Sequence, residues 1–308
     1  MAYPIDKKLV VCVTSSALFD MSESNKIFVE EGVDAYQKYQ EENIDNTLGK
    51  GVAYPFIKRL LSLNEIFSEE KQKPVEVVLF SRNSLYTGNR AWRSIQKWGL
   101  DITRAVFTSG KPNFQYLPAF NSTLFLTSIE NDARAALEEG YAAGTILNKK
   151  VVEDENDGEF RIAFDFDGVL ASDESEAYYK NEGIDKYMEH EMELANNPLD
   201  VGPLEALLKS ISIFQLMEKR KRELNGSYKS ILQTAIVTAR NAPAHERVVT
   251  TLKYWGIEVD QIFFLGGMDK SRVLRIMKPH IFFDDQKIHL ENLDNIPAVH
   301  IPFGVANK

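Results

Sequence analysis

Short runs of β-branched and aliphatic residues recur along the chain, each followed by a polar turn and then a stretch of helical periodicity. This alternation predicts an α/β protein with a largely parallel sheet, because parallel neighbours need a crossover and a helix usually supplies it. Leu9–Val13, Val75–Phe80, Ala105–Phe107, Thr123–Leu126, Arg161–Phe164, Thr234–Val237, Gln261–Phe264, His280–Phe283 and Val299–Ile301 read as strands. Asn25–Tyr39, Pro55–Leu63, Asn89–Trp98, Asp132–Ala142, Leu204–Leu224, Ala244–Trp255 and Ser271–Met277 read as amphipathic helices. The acidic, turn-rich segment Glu153-Asp154-Glu155-Asn156-Asp157-Gly158 marks a boundary between an N-terminal half, 1–152, and a C-terminal half, 159–308. From Asp173 to Leu232 the strand signal disappears, which predicts a helical insertion at about 174–230. A cap over a site and an extra layer of packing helices fit that insertion equally well.

The strand at Arg161 runs into Asp165-Phe166-Asp167-Gly168. Two carboxylates at the end of a buried strand repel each other and are costly to desolvate unless positive charge lies between them. A cation together with a phosphoryl group would meet that need, with Asp165 attacking phosphorus and Asp167 exchanging protons with the leaving oxygen. Alone, the motif is more often a loop or a solvated strand end than a reactive site. Three further strand ends support the chemical reading. Val237 leads into Thr238-Ala239-Arg240, offering a hydroxyl and backbone amides. Leu265 leads through Gly266-Gly267-Met268-Asp269 to Lys270 at the start of a helix, a favourable place for an anion. Phe283 leads into a second carboxylate pair, Asp284-Asp285. Carboxyl ends of parallel strands converge on one crevice, so these four elements can share a site.

A net charge of −9 argues against a nucleic-acid or anionic-membrane grip but not against a small anionic substrate beside a metal ion. Cys12 is the one cysteine, which excludes an intrachain disulfide and a Cys-based zinc site. Residues 1–8 lack the apolar core of a signal peptide, and no apolar run reaches the ~20 residues of a membrane helix. The expectation is a reducing, cytoplasmic location.

The ordered set Asp165-x-Asp167, Thr238, Lys270 and Asp284-Asp285 resembles the four motifs of the haloacid dehalogenase superfamily of phosphotransferases. The flanking residues narrow the resemblance to the cytosolic type I 5′-nucleotidases: Ala163-Phe164-Asp165-Phe166-Asp167-Gly168-Val169-Leu170 with Ser172-Asp173-Glu174, Val237-Thr238-Ala239-Arg240 with Ala244-His245-Glu246-Arg247, and Phe264-Leu265-Gly266-Gly267-Met268-Asp269-Lys270. Thr14-Ser15-Ser16 and Phe80-Ser81-Arg82-Asn83 extend it into the N-terminal half. The resemblance implies a Rossmann-like parallel sheet with a helical cap, and Mg²⁺-dependent hydrolysis of nucleoside 5′-monophosphates through an aspartyl-phosphate. It makes Asp165 the nucleophile and Asp167 the general acid and base. Thr238, Ala239, Lys270 and Gly168 would hold the phosphate. Asp165, the main-chain carbonyl of Asp167, and Asp285 would bind the metal, with Asp284 as a supporting acid. A phosphatase of another small phosphomonoester and a non-catalytic nucleotide-binding regulator stay open as alternatives, as do a nucleotide effector and self-association of the chain.

An internal repeat adds a second theme. Ser81–Ser128 aligns without a gap on Thr238–Asp285, with Arg90/Arg247, Trp98/Trp255, Gly99/Gly256, Phe107/Phe264 and Phe125/Phe282 identical. Ser81, Asn113, Thr127 and Ser128 then match Thr238, Lys270, Asp284 and Asp285, while Thr14 and Ser16 match Asp165 and Asp167. The N-terminal half is expected to be a related but catalytically dead copy. It is either structural or able to hold a regulatory anion through Arg82 and Lys111.

Overall fold

The computed structural model describes residues 3–67, 73–147, 151 and 153–307. The chain forms two compact units, Met1–Val151 and Val152–Lys308. Residue 152, the expected end of the first half, lies outside the described residues, and the acidic turn at 153–158 belongs to the second unit.

The first unit runs β1 (Leu9–Thr14), α1 (Ser15–Leu18), β2 (Phe19–Asp20), α2 (Ser22–Glu31), α3 (Val33–Glu42), β3 (Gly49–Lys50) and α4 (Tyr54–Ile66). It continues with β4 (Val75–Ser81), α5 (Leu85–Lys97), β5 (Arg104–Phe107), β6 (Leu124–Thr127), α6 (Glu130–Glu138) and β7 (Ala143–Ile146). Its parallel strands lie in the order β5-β4-β1-β6-β7. β1 and β4 are buried at every position, as expected of strands covered by helices on both faces. Val10, Cys12, Val78, Phe80 and Phe125 build the core with Ala133 and Ala136 of α6. Burial pushes the Cys12 thiol up to about 12, so it is an inert packing residue.

The second unit runs β8 (Phe160–Phe164), α7 (Glu174–Glu182), α8 (Ile184–Glu193), α9 (Glu205–Leu224), β9 (Leu232–Thr238) and α10 (His245–Trp255). β10 (Gln261–Phe264), α11 (Ser271–Met277), β11 (Ile281–Asp284), α12 (Lys287–Leu290) and β12 (Ala298–His300) complete it. Its strand order, β10-β9-β8-β11-β12, repeats that of the first unit. The register repeats as well. Val75 and Leu232 face Leu9 and Phe160, Arg104 and Gln261 face Val78 and Ala235, and Leu124 and Ile281 face Val11 and Ile162. From β8 the chain crosses to β9 and β10 on one side, then returns to β11 and β12 on the other. The crevice at the carboxyl end of β8 is therefore the switch point at which open α/β sheets bind ligands.

Several expectations need correction. The helix expected over Asn25–Tyr39 is two helices, because Gly32 takes φ +89° between α2 and α3. The second unit breaks α7 from α8 in the same way at Gly183, with φ +82°. That left-handed region favours glycine. The helical insertion expected at about 174–230 divides into two parts. α7 and α8 form a hairpin, whereas α9 buries Leu207, Leu208, Ile211 and Phe214 and packs on β9. Glu218 of α9 accepts from the backbone N–H of Ile231 at 2.9 Å and of Leu232 at 3.1 Å, fastening the helix to that strand. β7 was not expected at all. Among the described residues no helix is long and apolar enough to cross a membrane.

Gly202 tests the close approach that precedes α9. A Cβ there would lie 2.4 Å from the carbonyl oxygen of Ala171, a backbone atom with no freedom to retreat. Gly202→Ala is expected to destabilise the protein by about 1–3 kcal/mol, measured as a fall in the denaturant midpoint at unchanged slope.

Candidate active site

β8 delivers Asp165, and a one-residue step carries the chain to Asp167 and the turn at Gly168, whose φ is +71°. Gly168 has no room for a side chain, since a Cβ would fall 2.6 Å from Oδ2 of Asp285. β9 ends in Thr238, β11 ends in Asp284, and Lys270 precedes the first turn of α11. The sequence-predicted groups thus meet at the carboxyl ends of three adjacent strands.

At the centre, the Lys270 ammonium lies 2.8 Å from Oδ2 of Asp165 and donates to Oδ2 of Asp284 at 2.7 Å. All three residues are buried. Burial alone would strip the charge from such a lysine, but Asp165 and Asp284 hold its proton affinity above the ordinary value. Burial likewise opposes ionisation of Asp284, yet Lys270 and His289 outweigh it and keep that carboxyl below the usual range. Asp284 also accepts from the backbone N–H of Gln286 at 2.8 Å and approaches Nδ1 of His289 at 3.2 Å. Asp165 accepts from the backbone N–H of Phe166 at 2.7 Å, but desolvation and the nearby Asp284 charge push it up to about 7.

Asp285 is different. Both of its carboxylate oxygens are buried without a hydrogen-bond partner among the described residues. Burial and the charges of Asp165 and Asp284 push it up to about 10. A buried carboxylate in this state calls for a cation. Asp165, Asp284 and His289 also place one ligand atom each within 4.8 Å of one another, as a metal site would. Lys270 already supplies positive charge to two of those three, so the carboxylate short of a cation is Asp285.

Two charged groups outside the four motifs complete the site. Arg240 donates from Nε to Oδ2 of Asp167 at 2.8 Å and from Nη2 to Oδ1 at 2.7 Å. Its Nη1 hydrogen-bonds to Glu191 of α8, and its backbone N–H donates to Oγ1 of Thr238 at 3.2 Å. Arg247 donates to Glu191 at 3.0 Å and to Glu174 of α7 at 3.1 Å. Sequence reasoning left Arg240 and Glu191 unassigned. Arg240 carried a signal, since it stands two residues past a strand end beside the phosphate-site threonine. Glu191 carried none, lying in a helix also holding Glu189 and Glu193. Ala239, expected to offer an amide to phosphate, is exposed at the rim. Among the aromatic residues of the insertion, Tyr178 stacks on His190 at 3.9 Å, Tyr179 meets Tyr187 edge-on, and Phe214 is core.

In the first unit, the matching strand ends hold a neutral set. Ser16 hydrogen-bonds to Ser128, Ser15 lies 3.2 Å from Ser81, and Thr14 lies 3.4 Å from Ser16. Asn113 is fully buried, and both its amide atoms lack a partner among the described residues. Arg82 and Lys111, expected to hold a regulatory anion, differ in their surroundings. Arg82 forks onto the buried Asp132, with Nε 3.0 Å from Oδ2, while Lys111 is exposed.

Comparison with known proteins gives the chain's family. The family model for 5′-nucleotidase matches residues 1–308. Human (Homo sapiens) cytosolic 5′-nucleotidase 1B is 33% identical over 296 residues, covering 94% of this chain and 48% of that protein. The chain thus spans about half the length of this curated relative. No solved structure gives a significant match. With the family model covering the whole chain and this relative above 30% identity, the chain belongs to the 5′-nucleotidase family.

Proposed function

We propose that this protein hydrolyses nucleoside 5′-monophosphates to nucleoside and phosphate, using a divalent metal ion. The observation that carries the reading is the buried cluster at the β8 switch point, where Lys270 bridges Asp165 and Asp284 beside a cation-deficient Asp285. Family membership supplies the substrate class, and the relative's name agrees with a cytoplasmic setting.

In this reading Asp165 is the nucleophile. One of its carboxylate oxygens forms a bond to phosphorus as the bond from phosphorus to the nucleoside O5′ breaks. Asp167 gives its proton to that departing oxygen. A water molecule then attacks the aspartyl-phosphate and Asp167 takes the water's proton. The bond between phosphorus and Asp165 breaks, releasing phosphate and restoring both carboxyl groups. Lys270 and Thr238 hold the phosphoryl oxygens, and the turn at Gly168 lets the group approach the backbone closely.

Mg²⁺ fits the donors present, which are hard oxygens with room left for waters and phosphate. Asp165, the main-chain carbonyl of Asp167, and Asp285 would hold it, and it would supply positive charge to the phosphoryl oxygens. Asp284 is the supporting acid, its oxygens already taken by Lys270, Gln286 and His289. The first unit is a structural, non-catalytic relative of the second, because it lacks every carboxylate that this chemistry needs.

Assay of a nucleotide and phosphomonoester panel with Mg²⁺ and with EDTA tests the reading. Phosphate release from nucleoside monophosphates should require the metal, and Asp165→Asn should abolish turnover. The absence of metal-dependent release from every nucleotide would refute the claim.

Asp285 makes a second prediction. In the metal-free protein, its folded-state pKa and that of Asp165 lie above their unfolded values. Their contribution is then most favourable below about pH 4 and declines as pH rises through about 7 and about 10. The melting temperature without metal should therefore fall between about pH 6 and about pH 9, and Mg²⁺ should restore it. Asp285→Asn should raise the metal-free melting temperature at the alkaline end and abolish the Mg²⁺ response. Differential scanning calorimetry reads both effects.

A further inference from the structure

Asp167 is the group that must move protons in both halves of the proposed reaction, and Arg240 holds its two oxygens in a fork of 2.7 and 2.8 Å. We propose that Arg240 is a positioning residue for Asp167, and that Glu191 of the α7–α8 hairpin holds Arg240 in place. The inference rests on the hydrolytic reading above.

Three observations carry it. The Arg240 guanidinium is used on both sides: Nε and Nη2 go to Asp167, while Nη1 goes to Glu191 and reaches the carbonyl of Ala244 at 3.3 Å. A bidentate fork fixes both the direction and the plane of a carboxylate, which a single contact does not. Arg240 cannot itself trade the proton, because a guanidinium stays charged in proteins. The Arg240 side chain is 2% exposed and that of Glu191 0%, so neither moves without leaving a buried charge unpaired.

The third observation separates a chemical role from a purely structural one. Both units retain a buried arginine at the matching position with the same main-chain contact. Arg247 donates to the carbonyl of Asn197 at 3.0 Å and Arg90 to that of Asn46 at 2.8 Å. Beside them, Thr251 bonds to the carbonyl of Arg247 and the amide of Leu199, as Ser94 does to Arg90 and Leu48. Those contacts serve the fold, since they persist where the carboxylates are gone. Arg240 and Glu191 do not persist. Asn83 and Gln40 stand in their places, and Gln40 keeps a contact to Arg90 at 3.4 Å. They are replaced along with Asp167, whose counterpart is Ser16. Where there is no acid to aim, neither the clamp nor its support is present.

The test uses the full chain with Mg²⁺ and two substrates, a nucleoside monophosphate and p-nitrophenyl phosphate. The phenolate leaves without a proton, so only the hydrolysis of the aspartyl-phosphate still needs Asp167. The variants are Asp167→Asn, Arg240→Lys, and the double change Arg240→Asn with Glu191→Gln. The double change copies the neutral pair that folds in the first unit. For both Arg240 variants, kcat on the nucleotide should fall about 10²- to 10³-fold with KM little changed. On p-nitrophenyl phosphate they should give a burst near one nitrophenolate per site, followed by slow turnover, as Asp167→Asn should. Circular dichroism and melting confirm the fold of each variant. Should the double variant not fold, the Arg240→Lys kinetics decide, because lysine keeps the charge and loses the fork.

Equal losses on both substrates without a burst would overturn the proposal, because Arg240 would then act on the phosphate or on the fold. A raised KM at unchanged kcat, or wild-type kinetics, would overturn it as well. If Asp167→Asn shows the burst and the Arg240 variants do not, positioning alone fails. Wild-type protein inactive on both substrates refutes the hydrolytic reading, and the proposal with it.

Discussion

A buried ammonium between two buried carboxylates is the contact around which the second unit is organised. Lys270 reaches Asp165 from one strand and Asp284 from its neighbour, and each ion would be prohibitively costly to bury alone. The glycine-rich turn after β10, the short helix that Lys270 introduces and the tight turn at Gly168 all serve to bring these charges to one point. Asp285 follows Asp284, and its carboxylate has no hydrogen-bond partner among the described residues. Lys270 thus serves the first two carboxylates and leaves the third without a cation of its own.

The first unit shows what the scaffold requires without the chemistry. The strand order, the register at each shared pairing and the glycine break between paired helices recur there. The charges do not. Asp165, Asp167, Lys270, Asp284 and Asp285 become Thr14, Ser16, Asn113, Thr127 and Ser128. Removing one partner of a buried ion pair costs about 3–5 kcal/mol, whereas removing both is close to neutral. Lys270 and the two acids it touches, Asp165 and Asp284, are all neutral at the matching positions, as that asymmetry favours.

Much of this was legible before the structure. Strand ends could be read because a buried parallel strand is a continuous apolar run, and polar residues appear abruptly where it leaves the sheet. Asp165, Thr238 and Asp284 are each found at such an edge, and Lys270 opens the helix after one. β7 was missed because Ala-Gly-Thr-Ile carries little strand propensity and gains its place by pairing with β6. The α2–α3 break was missed because apolar periodicity runs on through Gly32. The roles of Arg240 and Glu191 depend on a contact between residues 49 apart in sequence, which no local pattern encodes. The pairing of Arg82 was hidden for the same reason, since its buried partner Asp132 reads in sequence as an ordinary helix-start acid.

The neutral strand ends of the first unit have a consequence for how variants of this protein behave in a cell. Hydroxyls and amides suffice there to finish the same strand order, so that order does not by itself require the charges that the reaction uses. Exchanges that disarm the second unit while keeping its pairs balanced should leave a folded chain that resists proteolysis. Such chains would persist at normal abundance, and their effect would come from presence without turnover rather than from loss.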